Sequence, residues 1–437
     1  MSHPALTMLK VWCACVLLYT VLPFQLVDRH VTAAGFVVLG LFLASFCLGS
    51  VAIRRAPFTA LRPWRLPVDF SRTERVLTAM SVLTLLMTVI DISGKNVFDL
   101  GESYAARSDQ ASALMEGTAS ASSWAFQVGF LTYPAAFVYL VRAIVFDRHL
   151  RFGRLALFAV LPVLMSTLAM GGRAPLLYAI LISGFAYGTR KVYLRRAGGS
   201  GTGDRAPGLS TFTKIIIGLL LALAMYYFVA VFIARAEVVG GAAGMFRVAE
   251  AIWGIGFRGA GSSWMFDVLG DEVNYMIFVF AWYIVQGLLM GNFLFSGYDG
   301  PMQWGVYGID LVSALMRRVD GSLIARHFEA LEQLGVYGFL PAAWGSLFVD
   351  LRYFGLLVAA LWGALAALVY QHIRAGQDAR WLLLAPFVTM GILFSFINTP
   401  IGFSNGLVTH FWMVVAFLLA RQTGAPAAAP SPLVPTR

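Results

Sequence analysis

The chain has 437 residues, of which 59% are hydrophobic and 12% are charged, and its formal net charge is +10. A soluble domain carries about 25% charged residues, so this composition excludes an ordinary soluble protein and predicts an integral membrane protein. The positive charge does not indicate nucleic-acid binding, because the basic residues fall in short loops that alternate with acidic ones. That alternation is typical of membrane orientation.

The apolar runs predict an all-α polytopic membrane protein, since runs this continuous satisfy their backbone groups in lipid only as helices. The loops 54–75 and 190–214 are strongly basic and are therefore expected in the cytoplasm. The runs give about ten transmembrane helices, which puts both termini on the cytoplasmic side. The expected spans are 8–27, 31–53, 76–93, 124–146, 154–170, 174–189, 213–234, 351–372, 381–397 and 405–420.

The largest segment expected on the outer face is 235–350, which is too apolar to be a linker. Within it, 273–296 is long enough to cross the membrane once. A single crossing would carry the basic loop 374–380 to the outside, so we expect 273–296 to be a re-entrant or interfacial segment. We therefore treat 1–421 as a single integral membrane domain with a large outer loop, and the Ala- and Pro-rich 422–437 as a disordered cytoplasmic tail.

The turn at 171–173 joins two spans on the outer face and carries Arg173 in the sequence MGGRAPLLYAILI. Pro175 suits the first turn of a helix, and the free N–H groups at a helix start attract anions. A guanidinium beside them adds a planar donor suited to phosphate. The alternative is an arginine that reaches out to lipid headgroups. Because an outer arginine runs against the orientation rule, we favour phosphate binding.

Four more arginines on the expected outer side are candidates of the same kind. Arg235 ends the seventh span, Arg258 lies in the glycine-flanked loop GIGFRGAGSSW, and Arg317 and Arg318 end a possible amphipathic surface helix at 302–318. For each, the alternative is a solvated or lipid-facing charge. Together with the turn arginine, these side chains suit a diphosphate on a lipid carrier and need no metal ion.

The stretch 335–370 joins a Gly-, Pro- and aromatic-rich approach to an apolar run. Asp350 stands just before that run and is the leading candidate for the general base that an acceptor hydroxyl needs, with His327 as a second candidate. The alternatives are a helix cap for Asp350 and a structural, hydrogen-bonding histidine. Tyr337 and Trp344 are the aromatic candidates for contacts with a glycan. The sequence lacks zinc, paired-cysteine and P-loop motifs, so we expect no metal and no other cofactor.

Two segments resemble the O-antigen polymerases, also called oligosaccharide repeat-unit polymerases (Wzy type). GGRAPLLYAILI at 171–182 is similar to the family's glycine/serine–arginine–small segment, which leads into a leucine-rich span. The stretch 335–370 is similar to the family's Asn-Val-Tyr-Thr, Asp-Phe-Gly and later Gly segment, with matches at Val336, Tyr337, Phe354, Gly355 and Gly363. The sequence departs from the pattern where Gly335 and Gly338 replace Asn and Thr, and where Asp350 does not adjoin the Phe-Gly pair.

The resemblance implies a GT-C-like architecture and an inverting, metal-independent glycosyl transfer on the outer (periplasmic) face of the bacterial inner membrane. A glycan chain on undecaprenyl diphosphate would be transferred to a lipid-linked repeat unit, with the arginines stabilising the departing diphosphate. The implied partners are undecaprenyl-diphosphate-linked oligosaccharides, the lipid bilayer, and a chain-length regulator and flippase of the same pathway. Nucleic acid is not among them.

Three other functions stay open from the sequence. The first is an O-antigen ligase or another glycosyltransferase that uses lipid-linked sugars. The second is a polyprenyl-linked glycan flippase or other transporter, which needs charged residues at mid-depth in the membrane. The third is a non-catalytic membrane partner of a polysaccharide synthase.

Overall fold

The computed structural model describes the ranges 2–22, 24–27, 29–53, 68–93, 123–170, 174–197, 222, 225–226, 228–234, 236–237, 239–257, 264–319, 328–336, 340–376, 378–402 and 405–422. About 81% of the structure is helical, and in these ranges seven helices are long and apolar enough to cross a membrane. The fold is therefore all-α with several membrane-spanning helices, as the composition predicts.

The helices in the described ranges follow the predicted spans closely. They are α1 (Pro4–Val21), α2 (Ala33–Ala52), α3 (Ser71–Ile92), α4 (Trp124–Thr132), α5 (Pro134–Phe146), α6 (Phe152–Ala169), α7 (Ala174–Ala197), α8 (Gly241–Trp253), α9 (Trp264–Gly297), α10 (Asp310–Val319), α11 (Ala342–Leu351), α12 (Gly355–Ala375), α13 (Trp381–Leu393) and α14 (Gly406–Leu419). Most of the span predicted at 213–234 lies outside the described residues, and the exact number of spans stays a prediction.

Two hydrophobic cores divide the helices into two groups. The first helix group consists of α1, α2, α8, α9, α11 and α12 and packs around aromatic side chains such as Phe42, Phe46 and Trp344. The second helix group consists of α3 to α7, α13 and α14 and packs around Phe137, Tyr139 and neighbouring residues. Helices α12 and α13 also contribute residues to the other group's core, so the two groups share one continuous interior.

The first group is held together by a direct backbone contact between α2 and α12. A Cβ atom on Gly49 would lie 1.8 Å from the carbonyl oxygen of Ala360, and one on Gly363 would lie 2.0 Å from the carbonyl oxygen of Phe46. Neither distance is sterically possible, so both positions require glycine. Small residues that let two helices touch are the usual means of packing helices within a membrane.

In the second group, prolines release carbonyl groups that side chains of neighbouring helices then bind. Pro134 has no N–H to donate to the carbonyl of Phe130, and that carbonyl accepts a hydrogen bond from Asn405 Nδ2 at 2.6 Å instead. Pro162 likewise leaves the carbonyl of Phe158 open within a π-helical turn, and Ser81 Oγ donates to it at 2.7 Å. Each proline therefore creates a specific polar contact between helices in an apolar core.

Two short antiparallel ribbons fix which helix ends lie together. β1 (Phe24–Leu26) pairs with β3 (Ile255–Phe257), and β2 (Val68–Asp69) pairs with β4 (Arg421–Gln422). The second pairing puts the start of α3 and the end of α14 on the same side of any membrane that the helices cross. It also includes Gln422, which the sequence assigned to the disordered tail; residues 423–437 lie outside the described residues.

Helix α9 contains the segment 273–296 and is long and apolar enough to cross a membrane. Its backbone is non-helical at Gly270, with φ 72° and ψ 167°. Near its other end, Asn292 bonds the backbone of Thr32 at 2.8 and 2.9 Å, which joins it to the start of α2. The expected re-entrant or interfacial segment at 273–296 stays a prediction, because the helix is long enough for a full crossing.

The chain reverses its direction between α11 and α12, which the sequence did not predict. Trp344 and Trp362 have ring centroids 5.4 Å apart, whereas eighteen residues of straight helix would separate them by about 27 Å. The chain turns at Arg352, which has φ 51° and ψ −136°, outside the regions that most residues favour. Helix α11 is therefore a short buried helix folded back on α12, and only α12 is long enough to span.

Candidate functional site

The sequence placed the leading candidate base, Asp350, at the boundary between water and lipid. In the structure Asp350 is 4% exposed, and its two carboxylate oxygens accept the backbone N–H groups of Tyr307 at 3.0 Å and Gly308 at 2.9 Å. Its own carbonyl accepts the N–H of Trp304 at 2.9 Å. Asp350 therefore organises the 303–308 loop from the end of α11. The alternative weighed from the sequence was a cap for the following span, but α12 has no side-chain cap. The role of Asp350 as a base stays a prediction.

Arg352 completes this arrangement two residues later. Its guanidinium donates to the carbonyl oxygens of Tyr298 and of Gly300, the latter at 2.6 Å, and lies 4.4 Å from the Tyr298 ring centroid. Asp350 and Arg352 thus bind opposite backbone groups, N–H and C=O, of the same connection between α9 and α10. Together, Asp350 and Arg352 hold the connection between α9 and α10 in place.

Trp344, one of the two glycan-contact candidates, is completely buried. Its ring packs against those of Trp12, Phe42, Phe46 and Trp362 at centroid distances of 5.4 to 6.3 Å. It presents no surface to a ligand in this conformation. Its position is that of a core residue joining α1, α2, α11 and α12.

Most of the other predicted site residues cannot be placed. Arg173, Arg235, Arg258, His327 and Tyr337 lie outside the described residues. Arg317 is on α10, where its guanidinium donates to Ser313 Oγ at 3.3 Å, and the side chain of its neighbour Arg318 is not described. Of the predicted site residues in the described ranges, Asp350 and Trp344 lie on α11, and Arg317 lies on α10, the helix that follows the 303–308 loop.

The second helix group contains a pocket that the sequence did not identify. We call it the Asp91 pocket; Thr88, Asp91 and Ser166 form its polar lining. Other lining residues include Gly129, Tyr133 and Met170. Its empty space is about 240 Å³ when the solvent space at its mouth is included. The pocket itself has room for about one water molecule. The three polar residues are 4 to 7% exposed, so they face this space and not bulk solvent.

A second pocket lies in the same group, with about 230 Å³ of empty space. We call it the His410 pocket; its polar lining is Tyr178, Asn398, Thr399 and His410. His410 Nδ1 lies 2.8 Å from the carbonyl oxygen of Gly406. Because a carbonyl only accepts, Nδ1 carries the hydrogen and Nε2 of the neutral ring is the acceptor nitrogen.

A row of aromatic rings links the two pockets. It runs from Tyr133, in the Asp91 pocket, through Phe137 to Tyr178, in the His410 pocket, with centroid separations of 5.7 and 4.8 Å. The row also borders the turn 171–173 in sequence, since Met170 lines the first pocket and Ala174 begins the helix of Tyr178. The two pockets, with Met170 and Ala174 that flank the turn in sequence, lie at one end of the second helix group, the pocket end.

The opposite end of the same group, the ionic end, is filled by charge pairs. Arg142 lies 2.8 Å from Glu74 and 2.9 Å from Asp147, and Arg154 also pairs with Glu74. Burial raises the pKa of Asp147, and the nearby Arg142 opposes that rise. Arg190 donates to the carbonyl oxygens at the end of α5, including that of Ile144 at 2.8 Å. These contacts pair the charges and cap the end of α5.

No family model, curated protein or solved structure matches the chain. In the described ranges, no group of three or more His, Cys, Asp and Glu side chains is arranged to hold a metal ion. The candidate site therefore rests on its own geometry, which favours the pocket end. The sequence contains one signal for it, Asp91 near the end of the predicted span 76–93, a position from which a side chain can also reach the membrane interface.

Proposed function

We propose that the chain is a polysaccharide repeat-unit polymerase, a membrane glycosyltransferase that moves a glycan chain from undecaprenyl diphosphate to a lipid-linked repeat unit. The observation that supports this most is the pocket end, where polar side chains line two pockets, one of which includes Met170, the residue before the turn that carries Arg173 in sequence. A diphosphate at that turn would lie next to groups able to bind sugar hydroxyls.

The proposed location is the outer face of the inner membrane. By the charge rule, the loop that begins at 54, which leads into α3, lies inside. The start of α3 is at the ionic end, so the pocket end faces outward. The pairing of β2 with β4 supports this orientation, because the sequence expects both the start of α3 and the end of α14 on the cytoplasmic side.

The test is replacement of Arg173 by alanine, with Arg148→Ala as the matched control, since Arg148 is an exposed arginine at the ionic end. We expect Arg173→Ala to accumulate normally in membranes, to lose binding of farnesyl diphosphate by the purified protein, and to yield only single repeat units in cells. Arg148→Ala should behave like the parent protein. Long polysaccharide in the Arg173→Ala strain would exclude the proposed role.

Two alternatives give different outcomes in the same strains. A ligase would leave polymer length unchanged and abolish attachment of the polymer to its final acceptor. A flippase is the alternative from another class. Asp91 is the observation that favours it, because buried carboxylates on membrane helices are common in transporters. Loss of a flippase would trap lipid-linked repeat units on the cytoplasmic leaflet, where an outer glycosidase added to intact cells does not reach them.

A further inference from the structure

The Asp91 pocket has the composition expected of a site for a single hydroxyl group. We propose that Asp91 is the general base of the reaction and accepts the proton of the acceptor sugar's hydroxyl. This inference rests on the proposed function and deepens it, because it assigns the base to α3 and not to the predicted residue Asp350, whose carboxylate oxygens both bind backbone N–H groups.

The carboxylate of Asp91 is held in a defined orientation. Ser123 Oγ donates to Asp91 Oδ1 at 2.5 Å and at the same time accepts the N–H of Phe126 at 3.0 Å. Ser123 is the N-cap of α4, so the start of that helix fixes the position of the carboxylate. A base must be positioned within about 3 Å of the proton that it accepts, and such a hydrogen-bonded brace provides the positioning.

Ser166 faces the same pocket from α6. It is 4% exposed, and its hydroxyl has no hydrogen-bond partner in the part of the chain that the structure describes. A buried hydroxyl left without a partner is destabilising, so binding of a group that pairs with it is favoured. A ligand hydroxyl can accept a hydrogen bond from Ser166 and donate its own hydrogen to Asp91.

The size of the pocket agrees with this assignment. The pocket accommodates about one water molecule, and a sugar hydroxyl is of the same size. The sugar ring itself would remain outside, at the open side of the pocket. Gly129 lines the pocket where α3 and α4 approach each other, with Thr88 Oγ1 only 3.6 Å from the position of a Cβ on that glycine. A larger residue at 129 would narrow the approach to Thr88.

The step balances as a single displacement. The acceptor oxygen forms a bond to the anomeric carbon of the donor sugar while the bond from that carbon to the diphosphate oxygen breaks. The diphosphate leaves with the bonding electron pair, and the hydroxyl proton passes to Asp91. The carboxylic acid so formed returns the proton to water, so no oxidant, reductant or metal is consumed.

The experiment compares Asp91→Asn, Asp91→Ala, Ser166→Ala and Ser123→Ala in membrane vesicles that contain the host's own lipid-linked repeat units. Asparagine keeps the shape and the acceptor for Ser123 but removes basicity, so we expect polymer formation to slow by 10²- to 10⁴-fold. Farnesyl diphosphate binding should be unchanged in the same purified variant. Ser166→Ala should slow the reaction about 10-fold, and Ser123→Ala should be intermediate.

Rescue by an added base distinguishes catalysis from structure. In Asp91→Ala, formate can occupy the vacated site. We expect formate to raise the polymerisation rate of this variant at least 10-fold, whereas chloride should not raise it. The proposal is overturned if Asp91→Asn polymerises at the parental rate, or if formate and chloride act alike in Asp91→Ala. Should Asp91→Asn fail to accumulate, Ser166→Ala and the formate measurement decide the question.

The same strains keep this inference separate from the proposed function. If Arg173→Ala abolishes polymer and Asp91→Asn does not, the polymerase assignment holds and the base assignment fails. If deletion of the whole chain leaves polymer length unchanged, the polymerase assignment fails and this inference fails with it.

Discussion

Helix α3 carries an acidic residue near each end, and the surroundings of these two residues differ sharply. Glu74, at the ionic end, pairs with Arg142 and Arg154. Asp91, at the pocket end, accepts a hydrogen bond from the hydroxyl of Ser123 and lines a pocket with the buried hydroxyl of Ser166. Opposite charges pair and cap helix ends at one end, whereas hydroxyl groups and one carboxylate line a pocket at the other.

This difference suggests that the two ends of α3 have different roles, stability at the ionic end and ligand binding at the pocket end. A charge that is partly buried with its counter-charge stays in place because removing either partner leaves the other unpaired. Hydroxyl and carboxylate groups around a pocket can exchange water for a ligand hydroxyl at little cost. We therefore expect substitutions at the ionic end to change unfolding, and substitutions at the pocket end to change binding and turnover.

The largest expected effect on stability is that of Arg142→Met. The Arg142 side chain is 11% exposed and contacts two acidic side chains, so its loss leaves Glu74 and Asp147 without that partner. We expect the free energy of unfolding to fall by about 3 kcal/mol. Thermal unfolding of the detergent-purified protein measures it, and Arg142→Lys, which keeps the charge, should lose less than half as much. A Met variant as stable as the parent would refute the structural role of the ionic end.

Asp91→Asn tests the other side of the comparison. Asparagine can still accept the Ser123 hydrogen bond, so we expect a change in unfolding free energy of no more than about 1 kcal/mol. The polymerisation rate should nevertheless fall by orders of magnitude, as proposed above. If instead Asp91→Asn lowers the unfolding free energy as much as Arg142→Met does, then both ends of α3 contribute to stability and the proposed difference between them is wrong.

The sequence predicted the fold better than the site, for physical reasons. Apolar runs such as that of α2 report directly on lipid contact, so the helices could be placed from composition alone. Asp350 had the right chemistry and a plausible boundary position, but sequence cannot show that loop 303–308 returns to bind both of its carboxylate oxygens. The sequence does not distinguish Asp91 from other residues near span ends, because the residues that form its pocket come from α4 and α6, distant in sequence.

The middle of α3 lies between the two ends and offers an intermediate effect. Ser81 is fully buried and donates to the Phe158 carbonyl, which Pro162 leaves without its helical donor. We expect Ser81→Ala to lower the unfolding free energy by about 1–2 kcal/mol. In a Pro162→Ala background the backbone N–H at 162 can bind that carbonyl, so the same Ser81→Ala change should cost markedly less. Equal costs in both backgrounds, measured by a double-mutant cycle, would show that the carbonyl is satisfied in another way.

The smallest expected effect concerns pH at the ionic end. Burial is the largest single effect and raises the pKa of Asp378, but hydrogen bonds from Arg380, at 2.9 Å to each carboxylate oxygen, and from Gln422 together lower the pKa below its usual value. A carboxyl with a lowered pKa in the folded protein contributes stability above its unfolded pKa of about 3.9 and loses that contribution as the pH falls through the folded value. We therefore expect the difference in unfolding temperature between the parent protein and Asp378→Asn to be constant from pH 7 to about pH 5 and to shrink below about pH 4. The contribution should be less than about 1 kcal/mol, since Arg380 is partly exposed. A difference that grows on acidification would mean that burial, and not Arg380, controls this carboxyl.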